Sequence, residues 1–370
     1  MSVNFKDLAV AGVQTLHPYQ PGKPIDELAR ELGLNEADIV KLASNENPLG
    51  PGPKALAAVE QAIADITLYP DGFGFDLKKA LCEKLGVEMN QITLGNGSSD
   101  ILDFITRVFV NDGDNVVVSQ HAFAIYGIVA AMVGAECIQV PAVDYGHDLD
   151  AMAAAINERT RVVFVTNPNN PTGTWVGRDA LVSFLNKVPD NVLVLLDEAY
   201  FEYVHEADYP DGISLLANYP NLVVTRTFSK AYGLAALRVG YSVSSPELAD
   251  LLNRVRPPFN VNSAALAAAA AALSDDEYVA SSIAVNDAGM KQLEQAFNAM
   301  SLYFIPSVGN FIAFRVPQGF DAAAVYQGLL QKGVIVRPVA NYDMPGFLRV
   351  SIGTETENKA FIDALTAVLS

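Results

Sequence analysis

Lys230 is the residue of this sequence best placed for covalent chemistry. The apolar, β-branched run Leu222 to Thr225 reads as a buried strand, and it leads through Thr227-Phe228-Ser229 to this lysine. Desolvation at such a place lowers an amine's pKa and frees its lone pair, as an imine with a carbonyl cofactor requires. The hydroxyls of Thr227 and Ser229 and the planar donor fork of Arg238 suit a phosphate. An amine and a phosphate anchor at one strand end point to pyridoxal 5′-phosphate. Ser-Lys alone is also what a surface lysine after a strand looks like, so other strand ends must supply the rest.

That cofactor asks for an acid opposite its ring nitrogen and a cation for the substrate's anionic end. Asp197 follows five apolar residues, Val192 to Leu196, and a carboxylate buried there needs a cation to face. Ile92 to Leu94 ends in Gly95-Asn96-Gly97-Ser98-Ser99-Asp100, a glycine turn feeding a helix start. The free amides of such a start suit phosphate, so Gly97, Ser98 and Ser99 join the cradle. Val162 to Thr166 ends in Asn167-Pro168-Asn169-Asn170-Pro171-Thr172-Gly173, a polar loop aimed by two prolines. Asn170 from this loop, and Tyr200 from Asp197-Glu198-Ala199-Tyr200, can donate to the ring's phenolate oxygen. Phe123, beyond the run Asn115 to Ser119, is placed to stack on the ring. Arg337 and Arg349 fall in or beside later strands, where water is scarce. Either they await an anion or they pair with ordinary carboxylates.

The elements that position these residues follow from periodicity. Seven strand-like runs, Ile92 to Leu94, Asn115 to Ser119, Cys137 to Pro141, Val162 to Thr166, Val192 to Leu196, Leu222 to Thr225 and Val239 to Val243, alternate with helical patterns. This is an α/β chain with a mostly parallel central sheet flanked by helices, and ligands bind such sheets beyond the strands' carboxyl ends. The window Ala122 to Ala135 reads as a buried helix, and the alanine-rich stretch Ala264 to Leu273 as a close-packed one. After the long helical stretch Glu277 to Met300 come short strands near Ser301 to Ile305, Phe311 to Val316, Gly333 to Arg337 and Phe347 to Ile352, a smaller α/β lobe. The division expected is a large domain over 45–257, with 1–44 and 258–370 forming the small one.

Bulk properties narrow the partners. Lys and Arg number 24 against 42 Asp and Glu, a net charge of −18, which repels nucleic-acid phosphates and anionic lipid. Anionic substrates must then be drawn by a few local arginines. Two cysteines, Cys82 and Cys137, make no disulfide framework. The start Met-Ser-Val-Asn-Phe-Lys-Asp has no export signal, so a cytoplasmic protein is expected. Four scattered histidines and two cysteines show no metal-ligand spacing.

Asn-Pro-Asn-Asn-Pro-Thr-Gly, Asp-Glu-Ala-Tyr, Ser-Lys-Ala-Tyr-Gly-Leu-Ala-Ala-Leu-Arg and Leu-Arg-Val-Ser-Ile-Gly stand in order from Asn167 to Gly353. Together they resemble the fold-type I pyridoxal-phosphate aminotransferases. With His-Pro-Tyr-Gln-Pro-Gly, Ser-Asn-Glu-Asn-Pro and Tyr-Pro-Asp-Gly in the first 72 residues, the nearest likeness is to the histidinol-phosphate aminotransferases. Aromatic amino-acid aminotransferases and a phospho-amino-acid decarboxylase look similar. The resemblance implies amino transfer between L-histidinol phosphate and 2-oxoglutarate, with Lys230 joined to the cofactor and Asp197 on its ring nitrogen. It puts Asn170 and Tyr200 at the ring oxygen, and Ser98, Ser229 and Arg238 at the cofactor phosphate. It further implies a homodimer in which Tyr69 reaches the neighbour's cofactor phosphate. Arg349 would bind the carboxylate of glutamate or the phosphate of histidinol phosphate, Arg337 would assist, and Tyr19 would close over the substrate. Phe123 departs from the family, which commonly has Tyr there; stacking survives and a hydroxyl is lost.

Overall fold

The runs between Ile92 and Val243 are apolar on both pleat faces, and strands of that kind are stable only between two layers of helix. The computed structural model describes residues 3–19 and 21–370, and all seven runs pair into one sheet. Met1, Ser2 and Gln20, the last within the His17 to Gly22 loop, lie outside the described residues. In spatial order the strands are Ile92–Gly95, Gly240–Val243, Leu222–Thr227, Leu193–Asp197, Thr160–Thr166, Asn115–Ser119 and Glu136–Val140. Gly240–Val243 runs against both its neighbours and the other pairings are parallel, so six carboxyl ends share one edge.

Alternation divides the core into two layers. Val116, Val162, Phe164, Leu195 and Val223 pack on one face with Ile101 and Phe104 of the helix Ser98–Phe109. Val117, Val163, Leu196 and Val224 pack on the other with Leu181 and Phe184 of the helix Arg178–Leu185. The same alternation places Thr166, Asp197, Thr225 and Thr227 on the first face, where the strands end.

The carboxyl-terminal lobe has a four-stranded antiparallel sheet, Arg337–Pro338, Phe347–Ser351, Phe311–Arg315 and Phe304–Ile305. Its core holds Leu293, Phe297, Phe314 and Phe361. Two strands differ from expectation. The run Gly333 to Arg337 is split: Val334–Ile335 pairs with Val40–Lys41, and Arg337–Pro338 pairs with Phe347–Ser351. The first strand of the lobe begins only at Phe304, because Ser301 takes a left-handed conformation (φ 56°) at the end of the helix Asp276–Ala299.

Two helical expectations also change. The window Ala122 to Ala135 yields only Ile125–Met132, closed by Gly134 at φ 79°. The alanine helix Ser263–Ala272 packs against Pro53–Ala62 and Phe75–Leu85 on the side of the large sheet, with Ala265, Ala268 and Ala269 fully buried beside Leu94 and Phe228. Its methyl faces allow this close approach, so this helix, expected with the small domain of 258–370, lies against the large sheet. The chain passes to the smaller sheet only with Asp276–Ala299. No helix among the described residues is long and apolar enough to cross a membrane.

Candidate active site

The shared edge of strand ends opens into a cavity of about 300 Å³. Tyr19, Ser98, Ser99, Phe123, Asn170, Asp197, Tyr200, Thr227, Ser229, Lys230, Arg238, Arg337 and Arg349 all line it. Gly97 sits behind its wall at φ 81°, and a Cβ there would lie 2.4 Å from Arg238 Nη2. Only a glycine leaves room for that guanidinium. Tyr69 is elsewhere: it is 82% exposed and stacks on Phe259 at 4.7 Å between centroids.

Lys230 Nζ donates to the backbone oxygen of Ser44 at 3.1 Å. Burial, then the charges of Arg349 and Arg238, push its amine down to about 7, against the pull of Glu46 and Asp197. An amine poised there is substantially neutral at physiological pH and can act as nucleophile or base.

Asp197 is 4% exposed, and burial pushes its carboxyl up while the Tyr126 hydroxyl holds it down. Tyr126 donates to Asp197 Oδ2 at 2.9 Å; the tyrosine's one proton is then used, so Thr166 Oγ1, 2.7 Å away, donates to Tyr126. Asp197 Oδ1 is buried and has no partner among the described residues. A buried carboxylate that lines the cavity and is held by one oxygen fits a protonated ring nitrogen.

On the opposite side, Arg349 is buried and makes no salt bridge among the described residues. Its Nη2 donates to the backbone oxygen of Ala43 at 2.7 Å and its Nη1 to Asn170 Oδ1, while its Nε has no partner. Guanidinium has only donors, so the oxygen of Asn170 must face it and the amide NH2 turns away from it. Tyr200 accepts from Asn45 Nδ2 at 2.9 Å, leaving its own proton to give; burial pushes its phenol up to about 12. Arg337 is also buried, its guanidinium carbon 5.6 Å from the centre of the Tyr19 ring. Phe123 meets Tyr19 edge-on at 6.5 Å and Tyr126 at 6.0 Å.

Hydroxyls and a guanidinium gather in one part of the cavity wall. Thr227 Oγ1 and Ser229 Oγ are 3.0 Å apart, and Arg238 Nη1 reaches Ser229 Oγ at 3.4 Å. Arg238 takes a left-handed conformation (φ 57°) that swings its side chain toward Gly97 at the start of Ser98–Phe109. Hydroxyls, a helix start and a guanidinium around one space, with Lys230 and an unmet Asp197 oxygen beyond, fit pyridoxal 5′-phosphate end to end. No group of acids, histidines or cysteines among the described residues is able to hold a metal ion.

Ser44, Asn45, Glu46, Tyr126 and Thr166 belong to the site and were not singled out for it. The Ser44 to Pro48 segment helped carry the family resemblance, but no role was assigned to its residues. Its signal is Asn45, held at φ 54° by Ser351 of the small sheet and by Asn310, just before the strand Phe311–Arg315.

The aminotransferase class I and II family profile matches residues 37–365. Histidinol-phosphate aminotransferase 2 of Pseudomonas fluorescens is 62% identical over 370 residues, covering 100% of both chains. Histidinol-phosphate aminotransferase 2 of Pseudomonas aeruginosa is 61% identical over 367 residues, 99% of each. Among solved structures, histidinol-phosphate aminotransferase from Sinorhizobium meliloti, in complex with pyridoxal 5′-phosphate, is similar with a TM-score of 0.87. It is 31% identical, with 97% of this chain and 96% of that one covered.

Proposed function

Because the chain belongs to the class I and II aminotransferases, and among them to the histidinol-phosphate aminotransferases, we propose the following reaction for it. It moves an amino group between L-histidinol phosphate and 2-oxoglutarate, giving imidazole acetol phosphate and L-glutamate, in histidine biosynthesis. The observation that carries this reading is a desolvated Lys230 in one cavity with two buried arginines that pair with no carboxylate among the described residues. Pyridoxal 5′-phosphate, when bound, supplies an aldehyde that takes the amino group and a protonated ring that accepts electrons from the substrate carbon.

The chain's residues do the rest. Ser98, Ser99, Thr227, Ser229 and Arg238, with the amides at the start of Ser98–Phe109, hold the cofactor phosphate. Asp197 would keep the ring nitrogen protonated, Asn170 and Tyr200 would donate to the ring oxygen, and Phe123 would cover the ring face. Lys230 Nζ would take the proton from the substrate carbon as base and, once charged, give it up again as acid. Arg349 holds the carboxylate of glutamate or the phosphate of histidinol phosphate, both of which accept its donor fork. Arg337 adds a second fork, and Tyr19, stacked beside it, shields the pair from water. One cavity serves the two substrates in turn.

Mixing purified protein with histidinol phosphate alone, and following the cofactor's absorbance, tests the donor. A complete half-reaction is expected; no change with histidinol phosphate, beside rapid change with phenylalanine or tyrosine, sinks the assignment. Arg337→Ala is expected to slow the histidinol-phosphate half-reaction by about 100-fold, the worth of a charge-assisted pair, and the glutamate half-reaction far less. Equal losses for both would show that Arg337 does not sort substrates.

The working unit in this reading is a homodimer. Ile66, Leu68, Tyr69, Phe73, Phe75 and Phe259 are exposed large apolar side chains that a second copy would cover. Arg238 is exposed, and the neighbour's Tyr69 would add a donor beside it. Tyr69→Phe is then expected to weaken cofactor binding by about tenfold with the dimer intact by sedimentation; unchanged binding argues against the reach across. Cys82 and Cys137 are unpaired, which suits a reducing compartment such as the cytoplasm.

A further inference from the structure

Two charged residues at the strand ends have no part in the cavity. Glu198 follows Asp197, and Arg226 precedes Thr227. A Cβ on Gly212 would touch Leu196, Glu198 and Val224, so these share the sheet face away from the cavity. On that face the two charges meet. Arg226 donates to Glu198 Oε2 from Nε at 2.9 Å and from Nη2 at 2.7 Å, and the amide of Gly212 donates to Glu198 Oε1 at 2.9 Å. The side chains are 4% and 0% exposed. Arg226 Nη2 also meets Asp211 Oδ1 at 2.7 Å, and its guanidinium carbon lies 3.5 Å from the centre of the Phe201 ring.

We propose that the Arg226–Glu198 pair is a positioning clamp that fixes the separation of Asp197 from Thr227, and through Phe201 the placement of Tyr200. The inference rests on the cofactor reading above, in which Asp197 meets the ring nitrogen and Thr227 the phosphate end. A rigid cofactor has one length, so two neighbouring strand tips must keep one spacing to hold both its ends. Main-chain bonds join the strands only as far as Glu198 N to Thr225 O at 2.9 Å; past that point Leu222–Thr227 pairs solely with Gly240–Val243. The ion pair takes over where the ladder stops. Stability alone does not call for it, since apolar side chains of like volume do as well as a buried ion pair. Its use is geometric: a planar fork on one carboxylate, clamped over a ring, allows one arrangement.

The test is the double variant E198Q/R226Q, which removes both charges and strands neither. In the purified holoprotein the melting temperature should fall by only about 5 °C. The dissociation constant for pyridoxal 5′-phosphate, by equilibrium dialysis, should rise about tenfold or more. The pH midpoint of the bound cofactor's absorbance change should move by about half a unit or more. A folded double variant with wild-type affinity and midpoint overturns the clamp. If the double variant does not fold, F201L, which removes only the ring under the guanidinium, carries the same test in the same terms. D197N run beside them separates the premises. Wild-type affinity and midpoint in D197N sink the cofactor reading itself, whereas loss in D197N beside an unchanged double variant sinks only the clamp.

Discussion

Lys230→Ala is expected to leave a folded protein that still takes up the cofactor and turns over at least about 10⁴-fold more slowly. The cradle of Ser98, Thr227, Ser229 and Arg238 and the carboxylate of Asp197 are untouched by the change, while the amine that moves the proton is gone; no other lysine lines the cavity among the described residues. The cofactor-free protein should reveal the same amine through its stability. In the folded chain Lys230 is pushed down to about 7 from 10.5, chiefly by burial. Between those values the unfolded chain binds the extra proton, so wild-type stability rises with pH across that window, and the cost of the buried amine is full below pH 7. Alanine carries no such cost. The cofactor-free variant should therefore be more stable than wild type at pH 6, with the gap closing toward pH 10.5 in urea melts. A gap that is flat, or wider at high pH, would mean that the amine is not desolvated.

Much of this site could be read before any coordinates because a parallel sheet puts its chemistry where its strands stop. Asp197, Asn170, Ser98 and Lys230 each follow an apolar run, and the alternation of runs with helices implies that those ends share an edge. What stayed hidden depended on long-range packing. Tyr126 sits in an apolar helical window, and only the approach of Asp197 gives its hydroxyl a purpose. The alanines of Ser263–Ala272 carry no mark of which sheet they will cover, because methyl groups pack equally well on either. The run Gly333 to Arg337 looks continuous, but Pro338 lacks an amide for a longer ladder and the chain changes sheets at Val336. Glu198 stands within Asp-Glu-Ala-Tyr, and Arg226 stands between the run Leu222 to Thr225 and Thr227. Their pairing needs the register of two strands, with Asp197 opposite Thr225, which no local pattern encodes.

Asp197→Asn should cost about 10³-fold in kcat, the scale of a lost electrostatic contact at the reacting group, with KM changed far less. The substitution keeps shape and keeps one bond, since the amide oxygen can accept from Tyr126 as Oδ2 does. That choice fixes the other end: the amide NH2 then takes the place of Oδ1, which has no partner among the described residues. A donor facing the ring nitrogen selects its unprotonated form, the reverse of what a carboxylate selects, and a neutral ring draws electrons poorly from the substrate carbon. Binding contacts at Arg337 and Arg349 remain, which is why the loss falls on kcat. The cofactor-free protein should respond in the opposite sense. Burial raises the carboxyl of Asp197, so charging it on folding lowers stability as pH rises from 3.8 through the folded value. Asparagine removes that penalty, and the variant should melt higher than wild type at neutral pH without cofactor. Wild-type turnover in the Asp197→Asn enzyme would place the ring nitrogen somewhere other than opposite this carboxylate.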